Sequence, residues 1–166
     1  FHVVAGFVLV TTLIVANLFY GPSTEPGRIE PVSSMALGIS LIAALILVLA
    51  SGHDPATLAV FTALVVATLA IAWRTDAAAA AVPLAALLAC LVIARWAFAP
   101  EIAQLIAGPG AAGEAAPQPW RTGLSSHISL GIAFAVLFGA GGYLAQGRSQ
   151  TPVIPILWSA AGIATP

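Results

Sequence analysis

Long apolar runs, broken by short polar segments, dominate the sequence. Its charged residues leave six uncharged intervals of 18 to 26 residues. About 20 apolar residues in helical conformation cross the roughly 30 Å hydrocarbon core of a bilayer. The pattern therefore predicts helices of membrane-spanning length at Val3–Tyr20, Val32–Ala50, Ala56–Trp73, Ala77–Phe98, His127–Gln146 and, incompletely, Thr151–Pro166.

The apolar runs lack the polar face that a helix on the surface of a soluble bundle carries. Such a helix has polar residues every three or four positions. In Val32–Ala50 the polar side chains are Ser33, Ser34 and Ser40 alone. We therefore expect an all-α fold, a polytopic transmembrane helical bundle with about five complete spans and one truncated span.

Turn and interface residues support these boundaries. Asp54 and Pro55 suit the N-cap and first position of the third predicted helix, and Thr75-Asp76 suits the cap of the fourth. Tryptophan and tyrosine prefer the membrane–water interface. Most of them fall beside predicted span ends, namely Tyr20, Trp73, Trp96, Trp120 and Tyr143, whereas Trp158 lies inside the sixth span.

Composition limits the partners. The chain is 60% hydrophobic and 7% charged, with a net charge of −1, whereas soluble domains carry roughly 25% charged residues. Five arginines and no lysine cannot form the basic face that nucleic-acid binding needs. We expect membrane lipids and other helices of the same longer chain as partners, and no nucleic acid; the oligomeric state stays open.

The predicted organisation has three parts. Residues 1–98 contain four spans, residues 99–126 form an extramembrane loop, and residues 127–166 contain the fifth and the truncated sixth span. Within the loop, Glu101–Ala107 can form a short interfacial helix. Because the sequence begins with Phe1 and stops inside an apolar run, we interpret it as part of a longer protein.

Arginine placement gives an orientation. Arg28, Arg74 and Arg148 lie on one side of the predicted membrane, and Arg95 and Arg121 on the other. Cytoplasmic loops carry an excess of basic residues. We therefore place the first group in the cytoplasm and the loop 99–126 outside.

Small residues predict helix-packing faces, because they let helix backbones approach closely. On the fifth predicted span Gly131, Ala135 and Gly139 recur at every fourth position, and we predict that they pack against another helix. Alanines recur in the same way on the third span (Ala59, Ala63 and Ala67) and on the fourth (Ala77, Ala81, Ala85 and Ala89).

Arg95 is the one charged residue within a predicted span. It lies near the span end beside Trp96, where its side chain can extend to the headgroups. Arg95 and Trp96 are therefore candidates for contact with a lipid headgroup. A pair between Arg95 and Glu101 is the alternative.

Catalytic and metal-binding motifs are missing from the sequence. His2, His53 and His127 lie apart, without the spacing of a zinc site, and Cys90 is the single cysteine. No nucleophile elbow or phosphate-binding loop occurs. We expect no catalytic residues, no cofactor and no metal, and no enzymatic activity.

The texture of the chain also resembles a known family. Ala/Leu-rich spans alternate with short Arg/Asp turns, and the run Pro155–Pro166 reads PILWSAAGIATP. In these features the chain is similar to the bacterial predicted membrane proteins of domain of unknown function family 2339. The resemblance implies a very long protein with many consecutive spans and a soluble amino-terminal region, located in a bacterial inner (plasma) membrane. It brings no catalytic residues.

Three functions follow as hypotheses. The first is a structural or scaffolding region of a larger integral membrane protein. The second is part of a transporter or channel whose polar site lies outside this chain. The third is a non-catalytic part of a membrane enzyme acting on lipid or glycan; within the loop, active-site residues would have to come from Glu101, Glu114 and Arg121.

Overall fold

The chain folds into α-helices throughout the part that the structure describes. The computed structural model describes residues 27–107, 120–145 and 152–164, together with Thr12 and Ala16; along 99–107 and 120–127 it describes the backbone alone. These ranges contain no strand, so the predicted all-α fold is confirmed. The elements are α1 (Pro31–Ala50), α2 (Pro55–Arg74), a 3-10 turn (Asp76–Ala78), α3 (Ala81–Ala107), α4 (Trp120–Ala145) and α5 (Val153–Ala164).

Four described helical segments are long and apolar enough to cross a membrane. They are Pro31–Ala50, Pro55–Arg74, Ala81–Phe98 and Ile128–Ala145. The fifth helix, α5, is apolar but only 12 residues long. Apart from Thr12 and Ala16, the first predicted span, Val3–Tyr20, lies outside the described residues.

The turn between α1 and α2 is held by backbone hydrogen bonds. The N–H of His53 donates to the carbonyl of Val48 at 3.0 Å, and that of Gly52 donates to the carbonyl of Leu49 at 3.4 Å. These two bonds define a Schellman motif, which satisfies the carbonyls left free at a helix end. Gly52 and His53 both adopt positive φ, 65° and 66°.

The start of α2 confirms the predicted cap. Asp54 precedes the helix, and its carboxylate accepts a hydrogen bond from the N–H of Ala56 at 3.0 Å. Pro55 occupies the first helical turn, where its missing N–H removes no helical bond.

The connection between α2 and α3 differs from the prediction, which began the next helix at Ala77. Thr75 caps the 3-10 turn, with its hydroxyl accepting from the N–H of Ala77, and the α-helix begins only at Ala81. Pro83 explains the later start. In a helix beginning at Ala77, Pro83 would lie in the interior, where its ring clashes with a preceding carbonyl; in α3 it lies in the first turn.

The helices around the predicted loop extend further than expected. Residues 99–107 continue α3, so Glu101–Ala107 is not a separate interfacial helix, and residues 120–126 belong to α4. The segment 99–107 consists largely of good helix formers, which favours continuation of the helix despite Pro100.

Helix α3 is the centre of the bundle, because it contacts all four other α-helices. The core lies between these helices, and Phe61 of α2 meets Phe134 of α4 edge to face, with ring centroids 6.3 Å apart. The largest fully buried side chains are Phe61, Phe134, Phe138, Leu41, Ile71, Val48, Val65, Val82, Val92 and Thr68.

The outer surface is as apolar as the core. On α1 the inward side chains include Leu41 and Val48, whereas Met35, Ile39 and Ile46 face outward and are exposed. A helix in water would carry polar residues on that outer side. The surface therefore suits surrounding lipid, and together with the span lengths it indicates a membrane location.

Candidate functional site

Two glycines of the described bundle, one on α4 and one on α5, lie against the backbone of the other helix. A Cβ atom added at Gly142 would lie 2.9 Å from the carbonyl oxygen of Trp158, and one added at Gly162 would lie 3.2 Å from the carbonyl oxygen of Phe138. Each glycine therefore faces the backbone of the other helix. The two pairs are reciprocal, since Phe138 and Gly142 on α4 are four positions apart, as are Trp158 and Gly162 on α5.

Trp158 fills the space beside this contact. Its side chain is almost fully buried, and a Cβ atom at Gly141 would come within 2.9 Å of its indole ring. The ring also meets Trp73 edge to face, with centroids 6.0 Å apart and planes at 88°. The missing side chains of Gly141 and Gly142 thus make room for a large aromatic ring.

Trp158 was the one Trp or Tyr that the sequence placed inside a predicted span and not beside a span end. Trp73 is the penultimate residue of α2, one position before Arg74. Because the two rings touch, Trp158 lies at the same depth as that helix end. Trp158, although inside its own predicted span, thus lies beside Trp73, which falls at a predicted span end.

The predicted packing track on α4 reaches the α4–α5 contact at Gly139, whose Cα lies 3.6 Å from a Cβ atom built at Gly162. A Cβ atom at Gly139 would meet no atom within 4 Å, and one at Gly131 would meet only Ile93 of α3, at an ordinary 3.9 Å. Ala135 is half-buried. Among the described glycines of α4, Gly142 is the one at which an added Cβ atom would meet the backbone of α5.

Of the two predicted alanine tracks, one is buried and the other is not. On α3, Ala81, Ala85 and Ala89 are buried, in agreement with the predicted face. On α2 the predicted track is not the buried one, since Ala59 is exposed. A signal for the α4–α5 contact was present in the adjacent glycines 141 and 142 and in a tryptophan placed inside an apolar run.

Buried polar side chains in the described bundle are satisfied locally. Thr57 and Thr68 are the buried polar residues of these ranges. The hydroxyl of Thr57 donates to the carbonyl of Asp54, and that of Thr68 donates to the carbonyl of Leu64, both at 2.8 Å. Thr57 also shares a hydrogen bond of 2.7 Å with the hydroxyl of Ser51 at the end of α1. The hydrogen bonds of both threonines thus stay within α2 and the α1–α2 turn.

A polar cluster closes the end of the bundle where α1 begins and α2 ends, called here the Arg74 end. The N–H of Gly27 donates to the carboxylate of Asp76 at 2.8 Å, and the N–H of Glu30 donates to the carbonyl of Ala77 at 2.9 Å. The hydroxyl of Ser34 donates to the same carbonyl at 3.0 Å. These bonds tie the start of α1 to the 3-10 turn.

The opposite end, called here the His53 end, contains the predicted headgroup residues. The imidazole of His53 stacks on the indole of Trp96, with centroids 5.5 Å apart and planes at 17°. Arg95 is exposed, and Trp96 is half-buried. The sequence identified Trp96 as an interface residue, but not His53 as its stacking partner.

The residues that could bind a metal lie apart in the part of the chain that the structure describes. Within the described ranges no three His, Cys, Asp or Glu side chains come together as metal ligands. Cys90, half-buried, donates from its thiol to the carbonyl of Ala164 at 2.9 Å. Of the loop candidates, Glu114 lies outside the described residues, and Glu101 and Arg121 are described by their helical backbone alone.

Comparison of the chain with protein-family models, curated proteins and solved structures finds no match.

Proposed function

We propose that this chain is a structural, scaffolding region of a larger integral membrane protein, held together by helix packing. The observation that carries the proposal is the reciprocal contact at Gly142 and Gly162, with Trp158 enclosed beside it. In a bilayer, helices associate through close packing, because lipid is as apolar as their side chains. Close backbone packing at two reciprocal glycines supports a role in holding helices at fixed positions.

The interior of the bundle supports the same role. Transport pathways place ionisable residues inside the membrane, facing the bundle interior or a water-filled cavity. The described core consists of apolar side chains together with Thr57 and Thr68, whose hydroxyls bond within α2 and the adjoining α1–α2 turn. The resemblance of the run Pro155–Pro166 to family 2339 favours a longer protein in a bacterial inner membrane.

The complete coding sequence and a flux assay test this proposal together. We expect further apolar spans on either side of this chain, and we expect liposomes containing the full protein to hold a proton or potassium gradient as well as empty liposomes do. Flanking spans with Asp, Glu or Lys in mid-membrane, accompanied by a leak of either ion, would instead establish the transporter hypothesis.

A further inference from the structure

The outward face of α3 carries one charge at the end of an apolar stripe. Leu87, Leu91 and Phe98 are 55%, 48% and 60% exposed, and Arg95 is exposed on the same face. At 100° per residue, these four positions fall within about 80° of one another around the helix. Leu87 and Leu91 therefore lead from the middle of the span toward Arg95.

The depth of Arg95 follows from the span that contains it. The membrane-length segment of α3 is Ala81–Phe98, and the helix continues to Ala107. Arg95 thus lies in the last turn of the span, on a continuous helix and not on a loop. A guanidinium at this depth reaches the headgroup layer while its aliphatic stem stays against apolar surface.

Arg95 is exposed at the side of the bundle. Among the side chains that the structure describes, which do not include that of Glu101, Arg95 has no hydrogen-bond or ion-pair partner. The acidic residue of the α1–α2 turn is Asp54, whose carboxylate caps α2 by accepting from the N–H of Ala56. Trp96 is fixed beside Arg95 by its stack on His53.

We propose that Arg95, Leu91 and Leu87 bind one anionic phospholipid, with its phosphate on Arg95 and an acyl chain along the leucines. The inference rests on the membrane role proposed above and names a partner for it. Charge complementarity favours a phospholipid as the ligand, since a guanidinium donates bidentate hydrogen bonds to phosphate. An anionic lipid is preferred over a zwitterionic one, because it carries no cationic group that Arg95 would repel.

Lipid retention by the purified chain in detergent tests the proposal. Native mass spectrometry would count bound phosphatidylglycerol, and phosphatidylcholine with the same acyl chains, at matched concentrations. We expect Arg95→Gln to weaken phosphatidylglycerol binding on the order of fivefold, the effect of one basic residue near an anionic surface. Leu91→Ala should weaken the binding of both lipids, because it shortens the acyl contact.

Arg74→Gln provides the matched control. Arg74 is also an exposed arginine at a span end, but it lies at the Arg74 end. It should keep the wild-type preference for phosphatidylglycerol. Equal retention by wild type and Arg95→Gln, or equal loss in both arginine variants, would overturn the lipid site while leaving the membrane role intact. A chain that stays monomeric without detergent would instead remove the membrane role itself.

Discussion

At the scale of single residues, Gly142 and Gly139 show how differently two glycines on one helix can act. They are three positions apart on α4, yet an added Cβ meets the Trp158 carbonyl at the first and open space at the second. The obstacle at Gly142 is backbone, which cannot rotate away as a side chain can. Glycine is therefore required for packing at position 142 and not at position 139.

We predict that Gly142→Ala destabilises the bundle and Gly139→Ala does not. Overpacking costs about 1–3 kcal/mol, offset by up to about 1 kcal/mol from the better helix propensity of alanine. Gly139→Ala should be neutral or stabilising by up to about 1 kcal/mol, for the same propensity reason. Reversible unfolding in mixed micelles measures both, and a larger loss for Gly139→Ala would show that the α4–α5 contact is placed wrongly.

Asp76 is the second residue with a specific structural task. Its carboxylate accepts the N–H of Gly27 and so anchors the segment that leads into α1. We predict that Asp76→Ala removes about 1 kcal/mol of local stability, the usual net worth of a hydrogen bond. Hydrogen exchange at the Gly27 amide should then be several-fold faster.

Asp76→Asn is the control for that experiment, because its amide oxygen can still accept the same bond. It should retain most of the protection at Gly27. If Ala and Asn give equal exchange rates, the side-chain oxygen of residue 76 does not hold the segment.

At the scale of helices and turns, sequence reasoning succeeded where local chemistry decides. The bounds of α1 and α2 agree with prediction to within one residue at each end. Asp54 and Pro55 specify a helix start through their own donors and acceptors. The predicted start of α3 was wrong, because Pro83 disfavours helix several residues before the proline itself.

The α1–α2 turn provides the prediction at this scale. Gly52 has φ of 65°, and an added Cβ would meet no atom within 4 Å. Gly52→Ala should therefore cost only the backbone strain of the left-handed region, about 1–2 kcal/mol.

Gly52→Asn distinguishes backbone strain from other effects, since asparagine tolerates that region better than alanine. Its loss of unfolding free energy should be the smaller of the two. Equal losses would mean that the turn does not hold residue 52 at positive φ in the membrane-bound chain.

At the scale of the whole molecule, the class of fold follows from composition, whereas the packing does not. Too few polar side chains exist to face water, and this holds whichever helices are neighbours. Which face of a helix turns inward depends on the bulk of its partner. In an Ala- and Gly-rich chain several faces are equally small, so the sequence could not single out the one that receives Trp158.

The arrangement of helix ends leads to a prediction about the two sides of the membrane. Arg28 and Arg74 lie at the Arg74 end, whereas Ala56 lies at the His53 end, and all three are exposed. On a Cys90→Ser background, whose hydroxyl can still donate to Ala164, we predict that Arg28→Cys and Arg74→Cys react with a membrane-impermeant maleimide from one side of sealed vesicles. Ala56→Cys should react only from the other side, because α1 and α2 each cross the hydrocarbon core once.

Permeabilised vesicles should label all three positions, which controls for reactivity. Labelling of all three from one side would mean that these two helices lie on the membrane instead of crossing it.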